Sequence, residues 1–122
     1  MKKKIPRSLH IWFRIHFVID ILFAIPLLIA PVWFLSLLGF PVVEPIATRL
    51  VGAALVGIGG ASAFAYNYEH YQIMLTLKIF WSLSAILGIF ISMMQGAPLA
   101  GWLFLGIFAV FSGIWMYYKK KI

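Results

Sequence analysis

Residues 11–30 read IWFRIHFVIDILFAIPLLIA, an almost unbroken apolar stretch that ends against Pro31. An α-helix needs about 20 mostly apolar residues to cross the hydrocarbon core of a bilayer. Three further stretches meet this requirement, at about residues 47–66, 72–94 and 99–118. The sequence therefore predicts an all-α polytopic membrane protein in which residues 1–122 form a single bundle of four transmembrane helices.

The composition supports a membrane protein. Hydrophobic residues make up 64% of the chain and charged residues 11%, against about 45–50% and 25% in soluble domains. Too few polar side chains remain to cover a surface in water, which excludes a soluble domain or a disordered chain. The chain contains no cysteine, which excludes disulfides, thiolate metal sites and a cysteine nucleophile.

The segment that follows the first span, residues 31–40, is apolar but too short to cross a membrane. We expect a short helix at the outer membrane interface, anchored by Trp33; a re-entrant segment is the alternative. The basic start of the chain and the apolar stretch after it resemble a signal peptide. Arg14, His16 and Asp20 interrupt that stretch, so we expect the first helix to be retained.

The positive charges predict the orientation. With the N-terminus inside, nine of the ten lysines and arginines lie on the inner side, and only Arg49 lies outside. The positive-inside rule then places both termini in the cytoplasm. We expect the protein to lie in the cell inner (plasma) membrane, where the basic ends of the chain face anionic lipid. No basic, aromatic-interleaved face exists elsewhere, so nucleic acid is not an expected partner. The residues predicted to lie at the two membrane interfaces are Trp12, Trp33, Arg49, Tyr66, Tyr71, Trp102, Trp115, Tyr117 and Tyr118.

Small residues recur along the second and fourth spans. Helices in lipid associate through close packing, and small residues at every fourth position allow it. We therefore expect the second span to lie at the centre of the bundle. The predicted packing residues are Gly52, Ala53, Gly57, Ala61 and Ala65 in the second span and Gly106, Ala109 and Gly113 in the fourth. For the fourth span, packing within the chain and a homodimer seam are the two alternatives.

Three ionisable residues lie well inside the predicted spans: His16, Asp20 and Lys78. His16 and Asp20 are four residues apart, so they share one face of the first helix. Asp20 and Lys78 lie at similar depths, which predicts a contact between the first and third spans. The alternative is that Lys78 extends to the interface while Asp20 pairs with His16 or Arg14. The cluster is interpreted as a structural ion pair, the polar end of a lipid or quinone site, or an ion path.

No catalytic pattern is present. The three carboxylates are scattered and no histidine cluster has metal-ligand spacing, so we expect no enzyme, no metal site and no cofactor. The leading hypothesis is a non-enzymatic accessory subunit of a larger membrane complex, or a homo-oligomer such as a homodimer. A small transporter or channel is the first alternative. The second is a binder of an apolar ligand such as lipid or quinone, with a pocket lined by Phe80, Trp81, Phe108 and Phe111.

The stretch FAIPLLIAPVWFLSLLGF, residues 23–40, is followed by ATRLVGAALVGIGGASAFA, residues 47–65. This half of the chain resembles small four-helix DoxX-like membrane proteins of bacteria and archaea. The positions that carry the resemblance are Ala30, Pro31, Trp33, Leu35, Gly39, Arg49, Gly52, Ala53, Ala54 and Gly57. The resemblance implies a four-helix fold without an activity; some members of these families are accessory subunits. Asp20 and Lys78 are not part of the pattern.

Overall fold

A computed structural model describes residues 4–122. These residues form five helices and no strand: α1 Arg7–Ile29, α2 Pro31–Leu37, α3 Pro45–Ser62, α4 Tyr68–Met94 and α5 Ala100–Lys121. Four of the helices, α1, α3, α4 and α5, are long and apolar enough to cross a membrane. The predicted all-α fold with four spans and a short helix after the first span is confirmed.

Side-chain caps explain why two helices begin earlier than predicted. The Glu44 carboxylate accepts a hydrogen bond of 2.6 Å from the Ala47 amide, and Pro45 occupies the first turn of α3. The Asn67 side chain accepts one of 2.8 Å from the His70 amide at the start of α4. Such caps satisfy amides that have no partner within the helix. The sequence analysis placed these two starts at residues 47 and 72 because it used the apolar stretches alone.

Two glycines end helices in the same way. Gly39 after α2 and Gly96 after α4 have φ values of 93° and 86°. In each turn the next amide bonds back to the helix, Phe40 to the Leu35 carbonyl and Ala97 to the Ser92 carbonyl, both at 3.1 Å. This is a Schellman ending, which requires a left-handed residue and therefore favours glycine.

The contacts between helices divide the chain into two compact units. The first unit, residues 6–65, contains α1, α2 and α3, and α1 packs along α3. Gly52 lets α3 approach α1 closely, since a Cβ there would lie 3.0 Å from the Leu28 Cγ. The Arg49 Nε donates to the Leu28 carbonyl at 3.0 Å, which satisfies a carbonyl in the last turn of α1.

The second unit, residues 66–122 with Lys4 and Ile5, contains the pair α4 and α5. Trp81 meets Phe108 edge to face, with ring centroids 6.0 Å apart. At one end of the pair, the Lys119 Nζ donates to the carbonyl oxygen of Gln72 at 3.3 Å and also to its side-chain oxygen. These contacts establish an antiparallel pair. The single four-helix bundle of the sequence analysis stays a prediction.

Candidate functional site

The predicted polar face of α1 is present. The His16 Nε2 lies 3.2 Å from the Asp20 Oδ2, and each residue is 5% exposed. The spacing of four residues places both side chains on the same side of the helix. Because α1 is a candidate span, this pair puts a carboxylate and an imidazole inside an apolar segment. The shared face of His16 and Asp20 is confirmed.

A glycine of α3 makes room for this pair. A Cβ at Gly59 would lie 2.5 Å from the Asp20 Cβ and 2.8 Å from its Oδ2. Asp20 therefore packs against the backbone of α3, where only glycine fits. Ser62, one turn further along α3, is also buried, and its hydroxyl donates to the Ile58 carbonyl at 3.0 Å. We call His16, Asp20, Gly59 and Ser62 the polar site of the first unit.

This polar site has a defined chemical capacity. A buried carboxylate beside an imidazole can hold a proton or a small cation, and such groups within spans often mark ion paths. The same pair can also serve only to fix the packing of α1 on α3. Among residues 4–122, no group of three or more His, Cys, Asp and Glu side chains could hold a metal ion.

Lys78 lies in the second unit and is fully buried. Its Nζ lies 5.0 Å from the centroid of the Trp115 ring on α5, a distance at which the ring face attracts a cation. The side chain packs within the protein, so the alternative that Lys78 extends to the membrane interface is wrong. Asp20 and Lys78 belong to different units, and their predicted pairing stays a prediction.

The packing face of α3 differs from the predicted one. Gly52, Leu55, Gly59 and Ser62 are buried, with spacings of three, four and three residues. Of the predicted packing residues, only Gly52 packs on another helix of its unit. Those that are exposed are Ala53, Gly57, Ala61, Gly106, Ala109 and Gly113, while Ala65 follows α3 and is half-buried. Packing of these residues stays a prediction.

The predicted interfacial residues fall into two groups. The exposed ones, as anchors in lipid headgroups need to be, are Trp33, Arg49, Tyr66, Trp102 and Tyr117. Tyr71, Trp115 and Tyr118 are buried in the protein and Trp12 is half-buried. The three buried rings contact protein, and their position at the membrane interface stays a prediction. Phe80, predicted to line an apolar pocket, is 68% exposed.

Sequence reasoning missed the role of Gly59. The indication was available, because Thr48, Gly52, Leu55, Gly59 and Ser62 recur at intervals of three and four residues. That spacing lines one helix face and includes two hydroxyl residues that avoid lipid. The competing ladder of small residues at every fourth position was more regular, and regularity alone does not tell which face is covered.

Comparisons with known proteins do not assign a family. No family model matches the chain, and neither a curated protein nor a solved structure matches it. The resemblance to DoxX-like proteins therefore stays a prediction.

Proposed function

We propose that the protein is a non-enzymatic component of a membrane assembly, working as a homo-oligomer or as an accessory subunit of a larger complex. The observation that carries this proposal is a smooth outer face of α3. Ala53, Gly57 and Ala61 are exposed, and a Cβ at Gly57 would meet nothing within 4 Å. We call these three residues the small-residue stripe of α3.

The stripe lies on the opposite side of α3 from its packed face. At 100° per residue, Gly57 lies about 180° from the middle of the Gly52, Leu55 and Gly59 face. Lipid tails gain nothing from a smooth surface, whereas a second helix can approach its backbone closely. Helix α5 has a similar face, since Gly106 and Gly113 are exposed and have open space at their Cβ positions.

The test is a glycine-to-leucine substitution that leaves the chain's own packing intact. Gly57→Leu adds a side chain where no heavy atom of residues 4–122 lies within 4 Å of the new Cβ. We expect native mass spectrometry and single-molecule photobleaching in vesicles to show an assembly for the wild-type chain and its loss in Gly57→Leu. Gly88→Leu is the matched control, because Gly88 on α4 is equally exposed and unobstructed. A wild-type chain that carries neither a second copy nor another protein, or an assembly unchanged by Gly57→Leu, would contradict the proposal.

The same proposal includes the orientation, with both termini in the cytoplasm of an inner (plasma) membrane. It is supported by Lys119, Lys120 and Lys121 at the end of α5. Because the chain has no cysteine, single cysteines report the side directly. We expect Val42→Cys and Leu99→Cys, at positions 86% and 82% exposed, to react with an impermeant maleimide added outside, and Glu69→Cys to be protected. Labelling of residue 69 from outside would reverse the orientation.

A small proton-coupled transporter or channel is the second candidate function. The observation that favours it is the buried His16–Asp20 pair at 3.2 Å within a candidate span. In vesicles with an imposed pH gradient, we expect Asp20→Asn to abolish proton flux, while Glu69→Gln, an exposed carboxylate outside the pair, keeps it. Equal flux in wild-type vesicles and in empty vesicles would exclude this function.

A further inference from the structure

Two buried hydrogen-bond donors of the second unit have no partner among residues 4–122: the Trp81 indole Nε1 and the Ser112 hydroxyl. Ser112 is 2% exposed. Leaving a buried donor unsatisfied costs about 1–3 kcal/mol, so each such group calls for a physical explanation. Most buried hydroxyls in helices are satisfied by a backbone carbonyl of their own helix. Four other hydroxyls in the chain donate in this way to carbonyls three or four residues earlier: Ser62, Thr76, Ser82 and Ser92.

The two donors lie at the same level of the antiparallel pair. The Trp81 ring meets Phe108 on α5, and Ser112 lies one turn beyond Phe108 on the same face. The next contact confirms the register, because Lys78, three residues before Trp81, lies over Trp115, three residues after Ser112. Trp81 and Ser112 therefore face each other across the two helices.

The surroundings decide which acceptor suits them. The neighbouring residues on this face of α5 are the aromatic Phe108, Phe111 and Trp115, with the last two stacked at 5.6 Å. A buried water normally makes about three hydrogen bonds to polar groups. Here the Ser112 oxygen could accept one of its two hydrogens, but the surrounding rings offer no acceptor for the other. A carbonyl oxygen accepts two hydrogen bonds and has no hydrogen of its own to satisfy.

The depth of Trp81 in the predicted span limits which molecule can supply that carbonyl. Trp81 is the midpoint of the 27-residue helix Tyr68–Met94, about 20 Å from either end at 1.5 Å per residue. The ester carbonyls of phospholipids lie at the edge of a core about 30 Å thick, about 15 Å from its midplane. We infer that Trp81 and Ser112 form a binding site for the carbonyl oxygen of a free apolar molecule dissolved in the hydrocarbon core. This inference does not depend on the proposed assembly.

The experiment measures hydrogen bonding of the Trp81 indole in the full-length chain. The protein is reconstituted into vesicles of ether-linked phospholipid, which contain no ester carbonyl, and benzophenone is the probe. The indole band in the ultraviolet resonance Raman difference spectrum, wild type minus Trp81→Phe, reports whether the N–H is bonded. We expect an unbonded indole in these vesicles and a saturable shift to the bonded position as benzophenone is added.

Variants test whether the donors share one acceptor. We expect Ser112→Ala to weaken the benzophenone response about tenfold, the loss of one hydrogen bond. Ser84→Ala, which removes an exposed hydroxyl of α4, is expected to leave it unchanged. If Ser112→Ala fails to fold, the benzophenone titration of the wild-type chain still tests the inference by itself.

Four outcomes in the ether-linked vesicles would overturn the inference. They are no shift at saturating benzophenone, an equal shift in Ser112→Ala, a bonded indole in vesicles where native mass spectrometry finds no retained molecule, and a retained molecule that lacks a carbonyl. The third outcome would identify water or protein as the acceptor. A shift produced by ester-linked lipid alone would assign the site to lipid and overturn the free molecule. A retained apolar molecule that carries a carbonyl would support the inference.

Discussion

The helix pairs α1–α3 and α4–α5 are both built from candidate spans, yet they pack in different ways. In the first pair, two glycines bring the backbone of α3 against side chains of α1: Gly52 meets Leu28 and Gly59 meets Asp20. In the second pair, large side chains meet between the helices, as Trp81 does with Phe108 and Lys78 with Trp115. The α1–α3 pair is joined through the glycine backbone of α3 at two levels. The α4–α5 pair has one such contact, Gly101 against Met93 near its end, and is joined elsewhere by large side chains.

The two pairs also hold their buried ionisable side chains in different ways. Asp20 lies beside His16 and against the backbone of Gly59, so its carboxylate is fixed by close packing. The ammonium group of Lys78 lies on the face of an aromatic ring, where the attraction is less directional. Substitutions in the first pair should therefore have sharper effects than those in the second.

The largest effect is expected for the charge of Asp20. Asp20→Asn keeps the volume of the side chain beside Gly59 but removes the negative charge next to His16. A buried hydrogen bond to a charged group contributes about 1.5–3 kcal/mol, and we expect Asp20→Asn to lower the free energy of unfolding by about 3 kcal/mol. The measurement is reversible unfolding in mixed micelles. Glu69→Gln, at an exposed carboxylate of α4, should stay within about 0.5 kcal/mol of wild type; equal losses in the two variants would show that burial of Asp20 does not matter.

The next largest effect is expected for the contact between Asp20 and the backbone of α3. An alanine substitution should destabilise the protein at Gly59 but stabilise it at the neighbouring Gly60. At Gly59 a methyl group would lie 2.5 Å from the Asp20 Cβ, an atom close to the main chain that cannot move aside alone. Gly59→Ala should therefore destabilise by about 1–3 kcal/mol, as overpacking does. At Gly60 the same methyl would meet nothing within 4 Å, so Gly60→Ala should gain up to about 1 kcal/mol in helix propensity. The same unfolding assay applies, and losses of equal size at both positions would refute the contact.

The sequence predicts the helices well because hydrophobic length is a property of each segment alone. The four apolar stretches and the short segment after the first all appear as helices. The shared face of His16 and Asp20 was equally predictable, since a spacing of four residues fixes it within one helix. The helix ends shifted where Glu44 and Asn67 supply caps, which hydrophobicity does not register.

The packed faces were harder to predict because they depend on the neighbouring helix. The ladder containing Gly57 and Ala61 has the regularity of a packing face, but Gly59 is the residue that meets Asp20. A buried carboxylate on α1 requires a glycine opposite it, and that requirement appears only once the two helices are paired. For the same reason, the unpartnered donors of Trp81 and Ser112 could not be inferred from residue type.

The smallest effect is expected at the end of the α4–α5 pair, where polar groups rather than rings join the two helices. The Lys119 Nζ donates to both oxygens of Gln72, the Gln72 Nε2 donates to the Tyr68 hydroxyl at 2.7 Å, and that hydroxyl donates to the Ile122 carbonyl at 3.0 Å. Lys119→Met should weaken this chain of bonds by about 1 kcal/mol and speed amide exchange in residues 114–122, read by hydrogen–deuterium exchange. The adjacent Lys120→Met is the control, because Lys120 is exposed and carries the same charge. Equal exchange in the two variants would mean that Lys119 contributes only charge at this end of the pair.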